Sequence, residues 1–330
     1  MELPSLEQVL QSARVVSLPM RVRFRGVAHR EALLLRGPAG WGEFSPFPEY
    51  DDVEAAAWLQ AGLEAAWLGH TAPVRSAVSV NATVPAVEAA GVERVLARFG
   101  AVEAVKIKVA ECGQNLDDDV ARVAEVRRLL PAAKLRVDAN GGWTTDAALE
   151  ALERLADFDL EYAEQPVLDL DGLRRVRLEL RRRSVPVLIA ADESVRKAED
   201  PLRVAREDAA DLLIVKVAPL GGVRRALDIV ARSGLPAVVS SALDTSVGIS
   251  AGVALAASLP ELRYACGLGT LALMEGDVTD RPLAPVDGLL EPRRVTVSEE
   301  LLERHAASPA GTQWWLDRLQ RVHRVLTGGT

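Results

Sequence analysis

The chain has 330 residues, 49% hydrophobic and 26% charged, a composition that excludes disorder as the main state and allows a sizeable core. Its 39 Lys and Arg against 47 Asp and Glu give a net charge of −8, so neither a nucleic-acid partner nor an anionic membrane surface is expected. Two cysteines, Cys112 and Cys266, cannot build a disulfide framework or a cysteine zinc site and fit a reducing compartment. The first ~75 residues read as a separate unit. Strands are expected at 15–22 and 32–35, a turn at 37–40 and a helix over 52–68. From Ser76 short β-branched runs alternate with amphipathic ones. Strands are predicted at 77–83, 104–109, 135–139, 160–163, 185–190, 212–217, 237–239 and 264–266. Helices are predicted between them at 86–98, 116–130, 145–155, 171–181, 201–206, 223–232 and 245–257. This β-α alternation implies a parallel sheet, and eight strands at this length suit a closed TIM-type barrel. After Thr270 the alternation stops. A Pro- and Gly-rich segment at 280–293 and helices at 298–305 and 314–326 are expected to pack back on the N-terminal unit.

The N-terminal Met-Glu-Leu-Pro-Ser-Leu-Glu has no basic n-region and no apolar h-region. The longest uncharged stretch, 245–260, is too short and too rich in Gly and Ser to span a bilayer. A cytoplasmic protein without a membrane partner is expected; monomer and homo-oligomer both stay open.

Lysine occurs five times, at 106, 108, 134, 197 and 216, against 34 arginines. A GC-rich genome explains the bias, but each lysine kept raises the question of what arginine cannot do there. Lysine can lose its proton and arginine effectively cannot. In Val105-Lys106-Ile107-Lys108-Val109 the period of two puts both lysines on one face and the aliphatic residues on the other. Since the apolar face must meet the helices, the lysines point into the barrel; the alternative is a solvated edge strand guarded by lysines. The next three strands end at Asp138, Glu164 and Asp192. Each alone could be a turn residue or helix cap, but barrel chemistry sits at the C-terminal ends of strands, where the three would converge. Close carboxylates repel, and a hard divalent ion with oxygen ligands resolves the conflict; Mg²⁺ is expected, with Mn²⁺ as the other option. Lys216 closes the sixth strand, so Lys108 and Lys216 would face each other across the metal. Such a set suits abstraction of a proton next to a carboxylate, with the metal holding the enolate oxygens.

Lys106-Ile107-Lys108, Asp138-Ala139-Asn140, Glu164-Gln165-Pro166, Asp192-Glu193-Ser194 and Lys216 with Gly221-Gly222 resemble the ordered motifs of the enolase superfamily, in its muconate-lactonising-enzyme-like subgroup. The resemblance spans residues 106–222. It implies a (β/α)7β modified TIM barrel at 76–274, with a smaller α+β capping domain built from both chain ends, 1–75 plus 275–330. It assigns Asp138, Glu164 and Asp192 to the metal and Lys108 and Lys216 to catalysis.

Ser79-Val80-Asn81-Ala82-Thr83, Ser240-Ser241-Ala242-Leu243-Asp244 and Gly267-Leu268-Gly269-Thr270 are similar to a branch of this subgroup that removes water from a succinyl-cyclohexadiene dicarboxylate, giving an aromatic product. The substrate implied is thus a small dicarboxylate. Lys108 would take the α-proton and then, as an ammonium, help hydroxide leave. Lys216 would stay protonated and stabilise the enolate from the other face. Candidate substrate contacts are Lys106, Asn140, Ser240, Ser241, Gly267 and, from the cap, Arg21. The rival within the subgroup is an N-acylamino-acid racemase or dipeptide epimerase using the same lysines and metal. The segment 267–270 has no carboxylate to hold an amine, which counts against the epimerase. A phosphate-binding barrel with Gly141-Gly142 and Gly221-Gly222 as anion loops would leave the inward lysines and carboxylates unexplained.

Overall fold

The computed structural model describes residues 3–24, 27–196 and 200–328. A short helix, α1 (Leu6–Ser12), starts at Ser5, whose side chain and that of Gln8 form a reciprocal capping box. Three strands follow, β1 (Ala13–Phe24), β2 (Val27–Gly37) and β3 (Gly40–Phe44). They form an antiparallel sheet in the order β1-β2-β3. Helix α2 (Asp52–Trp67), capped by Asp51, packs on this sheet. The sequence pattern does not predict α1, which is barely two turns long, whereas β3 follows the expected turn at 37–40.

The first barrel strand is split into β4 (Val78–Ser79) and β5 (Ala82–Val84), and the seven-stranded parallel sheet begins at β5. It continues through β6 (Ala104–Lys108), β7 (Lys134–Asp138), β8 (Leu160–Glu164), β9 (Leu188–Ala191), β10 (Leu212–Val215) and β11 (Ala237–Val239). Strands β5 to β11 neighbour one another in sequence order, as a succession of β-α units gives. The intervening helices are α3 (Val92–Leu96), α4 (Leu116–Leu129), α5 (Thr145–Leu155), α6 (Leu170–Arg182), α7 (Glu193–Arg196), α8 (Arg203–Arg206), α9 (Val223–Ser233) and α10 (Ser246–Ser258). Where one helix is expected over 86–98, a 3-10 turn at Ala89–Gly91 leads into the five-residue α3. Gly91 lies inside that run, where its backbone freedom disfavours a continuous helix.

The expected eighth strand is reduced to two isolated parallel bridges, Val80 with Cys266 and Ser240 with Gly267. Four backbone hydrogen bonds fasten it between the first and seventh strands: Asn81 N to Cys266 O, Cys266 N to Ser79 O, Ser241 N to Gly267 O and Gly267 N to Val239 O. These close the ring. A Cβ on Gly267 would stand 2.5 Å from Ser240 Oγ, so any larger residue here would force that hydroxyl aside.

The chain then returns to its N-terminal sheet. Met274 bridges to Met20, and β12 (Leu289–Leu290) pairs with β4. Helices α11 (Glu299–Arg304) and α12 (Pro309–Thr327) end the fold. Helix α12 packs on α2, and its buried Arg318 donates to the carbonyls of Pro46, Phe47 and Tyr50. No helix among the described residues is long and apolar enough to cross a membrane.

Candidate active site

Strand parity holds except at the start of β8, where the register slips between Leu160 and Tyr162 and Leu160 joins the main core. Val105, Ile107, Leu135, Val137, Ala163, Ile189, Leu213, Val215 and Val239 join the main core outside the ring. Tyr162, Ala190, Leu212, Ile214 and Val238 form a separate small core within it. The guanidinium of Arg136 lies 4.9 Å from the Tyr162 ring centre and donates to Asn81 and to the carbonyl of Ala265. This layer is the floor on which the polar residues stand.

Above the floor lie the lysines and carboxylates read from the strand ends. Register aligns Lys108 with Asp138 and Asp138 with Glu164. Lys106 Nζ lies 2.9 Å from Asp138 and 2.9 Å from Glu164. Lys108 Nζ lies 2.6 Å from Asp138 and also donates to Asn140 Oδ1. Lys216 pairs with Asp192 at 2.5 Å, and Asp192 also pairs with Arg196 at 3.1 Å. The strands bearing Lys108 and Lys216, β6 and β10, are four places apart in the closed ring of eight and therefore diametrically opposed. The carboxylate strands lie between them.

Four basic side chains, Lys106, Lys108, Lys216 and Arg196, stand among four carboxyl side chains, Asp138, Glu164, Asp192 and Glu193, and all eight are buried. Burial and the neighbouring Lys106 ammonium push Lys108 below the usual lysine range, against the pull of Asp138. Lys106 is held well above it, because Asp138 and Glu164 outweigh the cost of burial. Burial and the proximity of Asp138 raise Glu164 to about 8. Lys216 and Arg196 overcome burial to hold Asp192 at about 2.

Gln165, to which the sequence pattern gives no role of its own, supports this layer. Gln165 is fully buried. Its Oε1 accepts from the amides of Asp192 and Ser194, and its Nε2 donates to Val167 O and Ser194 Oγ. It ties the end of β8 to the end of β9 and fixes the backbone from which Asp192 projects. Gln165 and Asn140 have positive φ, 39° and 46°, strain of the kind that persists at functional sites.

One cavity is lined by Phe47, Thr83, Lys106, Lys108, Asp138, Asn140, Lys216, Ser240, Ser241, Ala242, Leu243, Gly267 and Thr270. It thus gathers every proposed lysine and substrate contact except Arg21. Arg21 instead donates to Met274 O at 2.7 Å and lines a separate cavity with Arg98 and Phe99. The pairing of β1 with β2 shifts register between Pro19 and Phe24. The Gly221-Gly222 turn is not an open anion loop. Glu64 of α2 accepts from the amides of Val223 and Arg224 there, and a Cβ on Gly222 would meet its carboxylate at 2.8 Å. A larger cavity of about 340 Å³ beside Trp41, His70 and Arg294 shares none of the catalytic candidates.

Among the described residues no three carboxylate, imidazole or thiolate side chains are drawn together around a common point; lysine ammoniums stand between them. The donor set nevertheless fits a hard divalent ion. Asp138 and Glu164 already converge on one cation, Lys106 Nζ, and Asp192 projects beside them from the next strand.

Family models match both parts of the chain: an enolase N-terminal domain-like model over residues 15–66 and an enolase C-terminal domain-like model over residues 87–296. The o-succinylbenzoate synthase of Mycolicibacterium smegmatis is 53% identical over 324 residues, 98% of each chain. That of Mycobacterium tuberculosis is 53% identical over 98% of this chain and 97% of its own. That of Mycobacterium leprae is 52% identical over 98% and 95%. The solved muconate lactonizing enzyme of Pseudomonas putida superposes with a TM-score of 0.73 at 22% identity, covering 89% of this chain and 98% of that one. The 2-chloromuconate cycloisomerase of Rhodococcus opacus gives 0.76 at 22% identity over 90% and 98%; these two bear on the fold. Enzymes of this superfamily generally use a divalent metal ion. The chain belongs to the enolase superfamily and, within it, to the o-succinylbenzoate synthase family.

Proposed function

We propose that this enzyme catalyses the Mg²⁺-dependent syn-dehydration of 2-succinyl-6-hydroxy-2,4-cyclohexadiene-1-carboxylate (SHCHC) to o-succinylbenzoate, a step of menaquinone biosynthesis. The observation that carries the reading is the opposition of Lys108 and Lys216 across a buried set of three carboxylates. Asp138, Glu164 and Asp192 would hold the metal, with Mn²⁺ as an alternative ion. A divalent cation there supplies charge stabilisation as the substrate carboxylate becomes more negative.

The remaining chemistry belongs to the side chains. Lys108, pushed towards neutrality by burial and Lys106, takes the α-proton onto Nζ. The same ammonium then returns a proton to the departing hydroxyl, which leaves as water while the ring becomes aromatic. Lys216 stays protonated and offers its charge from the opposite side. Asn140 holds the Lys108 amine in place through its Oδ1. Ser240, Ser241 and the Gly267 backbone form the wall at which a carboxylate would be oriented, and Lys106 contributes charge beneath it. We further assign the capping unit to residues 1–75 plus 275–330 and the barrel to 76–274, with Phe47 of the cap closing the mouth. Arg21 is kept as a substrate contact only for a form in which its hairpin moves.

The test is absorbance-monitored turnover of SHCHC by the purified protein with Mg²⁺, beside an EDTA-treated control. Metal-dependent aromatisation is expected. A folded, metal-loaded protein that leaves SHCHC unchanged but racemises N-acylamino acids or epimerises dipeptides would replace the synthase reading with the isomerase one.

A further inference from the structure

Arg30 is a buried cap residue, 2% exposed, on β2. Its guanidinium crosses the boundary between the cap and the barrel. Nε donates to Leu243 O at 3.0 Å, and Nη2 donates to Ala242 O at 3.2 Å and to Ser45 O. The guanidinium carbon lies 4.5 Å from the centre of the Phe47 ring. One rigid, planar group thus holds two carbonyls of the loop after β11, one carbonyl of the cap loop, and an aromatic face. Lysine, with a compact ammonium, cannot reproduce that fork.

What Arg30 holds is the wall of the active-site cavity. Phe47, Ala242 and Leu243 line that cavity beside Ser240 and Ser241, whereas Arg30 does not. Leu243 has φ 62°, a left-handed conformation that is costly for a branched, non-glycine residue. Its carbonyl is one of the two in the loop that Arg30 binds, so the guanidinium stabilises the conformation that turns the wall inward. The loop's amides are fastened from the other side. Asp244 accepts from Ala242 N at 3.0 Å, and Glu43 of β3 accepts from Thr245 N at 3.1 Å and from Gly248 N at 3.0 Å. Carbonyls are bound to the cap's arginine and amides to carboxylates, so the loop has little freedom to relax.

We propose that Arg30 is a specificity-positioning residue: from the cap it fixes the Phe47 and Ala242-Leu243 wall against the part of the substrate that does not react. The lysines and the proposed metal-binding carboxylates come from β6 to β10 and their ends, whereas the loop whose carbonyls Arg30 holds follows β11. Its loss should weaken binding of ground state and transition state alike, raising KM and leaving kcat largely intact. This inference rests on the synthase reading above.

The experiment is steady-state turnover of SHCHC by wild-type, Arg30→Lys and Arg30→Met proteins, with calorimetric titration of o-succinylbenzoate into each. KM and the product Kd should rise about tenfold in Arg30→Lys and further in Arg30→Met, with kcat within about threefold. Phe47→Leu, which leaves the buried charge untouched, should raise KM by itself. Combined with Arg30→Lys it should give less than the product of the two effects, because both act through one wall. Lowered melting temperature with KM and Kd unchanged would reduce Arg30 to a structural residue and overturn the proposal. So would a fall in kcat at constant KM, or fully multiplicative effects in the double variant. A wild-type protein that neither turns over SHCHC nor binds o-succinylbenzoate would overturn the functional reading itself, a result distinct from wild-type activity unaffected by Arg30→Lys.

Discussion

Lys106 and Glu164 stand two strands apart, yet the ammonium lies 3.0 and 2.9 Å from the two carboxylate oxygens while also touching Asp138 at 2.9 Å. The lysine occupies the point on which two of the three proposed metal ligands converge. A metal held by these carboxylates would have to displace the Lys106 ammonium from these oxygens.

Lys106→Met removes that internal cation and leaves Asp138 and Glu164 buried side by side. Breaking a buried pair from one side costs about 3–5 kcal/mol, so the metal-free variant should melt below the wild type. Added Mg²⁺ should raise its melting temperature by more than it raises that of the wild type, because no ammonium has to move. Equal Mg²⁺-induced shifts in the two proteins would show that Lys106 does not compete for the position.

Lys108→Ala and Lys216→Ala should each lower kcat by roughly 10²–10⁴-fold or more, the range for a positioned acid or base, with the far-ultraviolet circular dichroism of the wild type retained. The two should differ in hydrogen exchange. If Lys108 is the base, Lys108→Ala loses exchange of the substrate α-proton with deuterated solvent. Retained turnover in a folded Lys108→Ala protein would remove the base assignment.

Side chains on strands were legible in the sequence, and those held by distant backbone were not. Lys106, Lys108, Asp138, Glu164 and Lys216 were readable because a period of two fixes which face each occupies, and the apolar partners on the other face reach the outer core. The ion pairing was not readable in advance. It depends on β6, β7 and β8 lying in register, with Lys108 level with Asp138 and Asp138 with Glu164. Arg30 was invisible because its acceptors are carbonyls at Ala242 and Leu243, a contact made only when the cap docks. Gln165 had a faint signal. An amide between a strand-end carboxylate and a proline can both donate and accept, as bridging two strand ends requires. Arg21 donates to Met274 O, a contact with the segment after the eighth strand that its own neighbours in sequence do not reveal.

His70 gives a pH dependence remote from the chemistry. Burial, then the charges of Arg294 and Arg224, lower it from 6.5 to about 4, and Nε2 lies 3.1 Å from Ser250 Oγ. The unfolded chain therefore binds a proton that the folded chain refuses between pH 6.5 and 4. The stability associated with neutral His70 is complete above pH 6.5 and is lost as pH falls to about 4, at most ~3 kcal/mol in all. Urea unfolding of His70→Gln across this range should show a flatter decline than the wild type. Parallel pH profiles would mean that His70 titrates normally in the fold.

Glu64 tests how the cap is fastened. From α2 it reaches the N-terminus of α9 and accepts from Val223 N at 2.8 Å. A carboxylate at a helix N-terminus binds free amides and complements the positive end of the helix dipole, worth about 0.5–2 kcal/mol. Glu64→Gln keeps the shape and an acceptor but loses the charge, so a smaller destabilisation is expected than from Glu64→Ala. Gly222→Ala combines a φ of 123° with a Cβ 2.8 Å from this carboxylate, and should cost more than either through strain and steric overlap. The order Gly222→Ala, then Glu64→Ala, then Glu64→Gln in decreasing loss of unfolding free energy is the expected result. A Gly222→Ala protein as stable as the wild type would mean that the cap does not press on this helix end, and that the carboxylate merely lies near it.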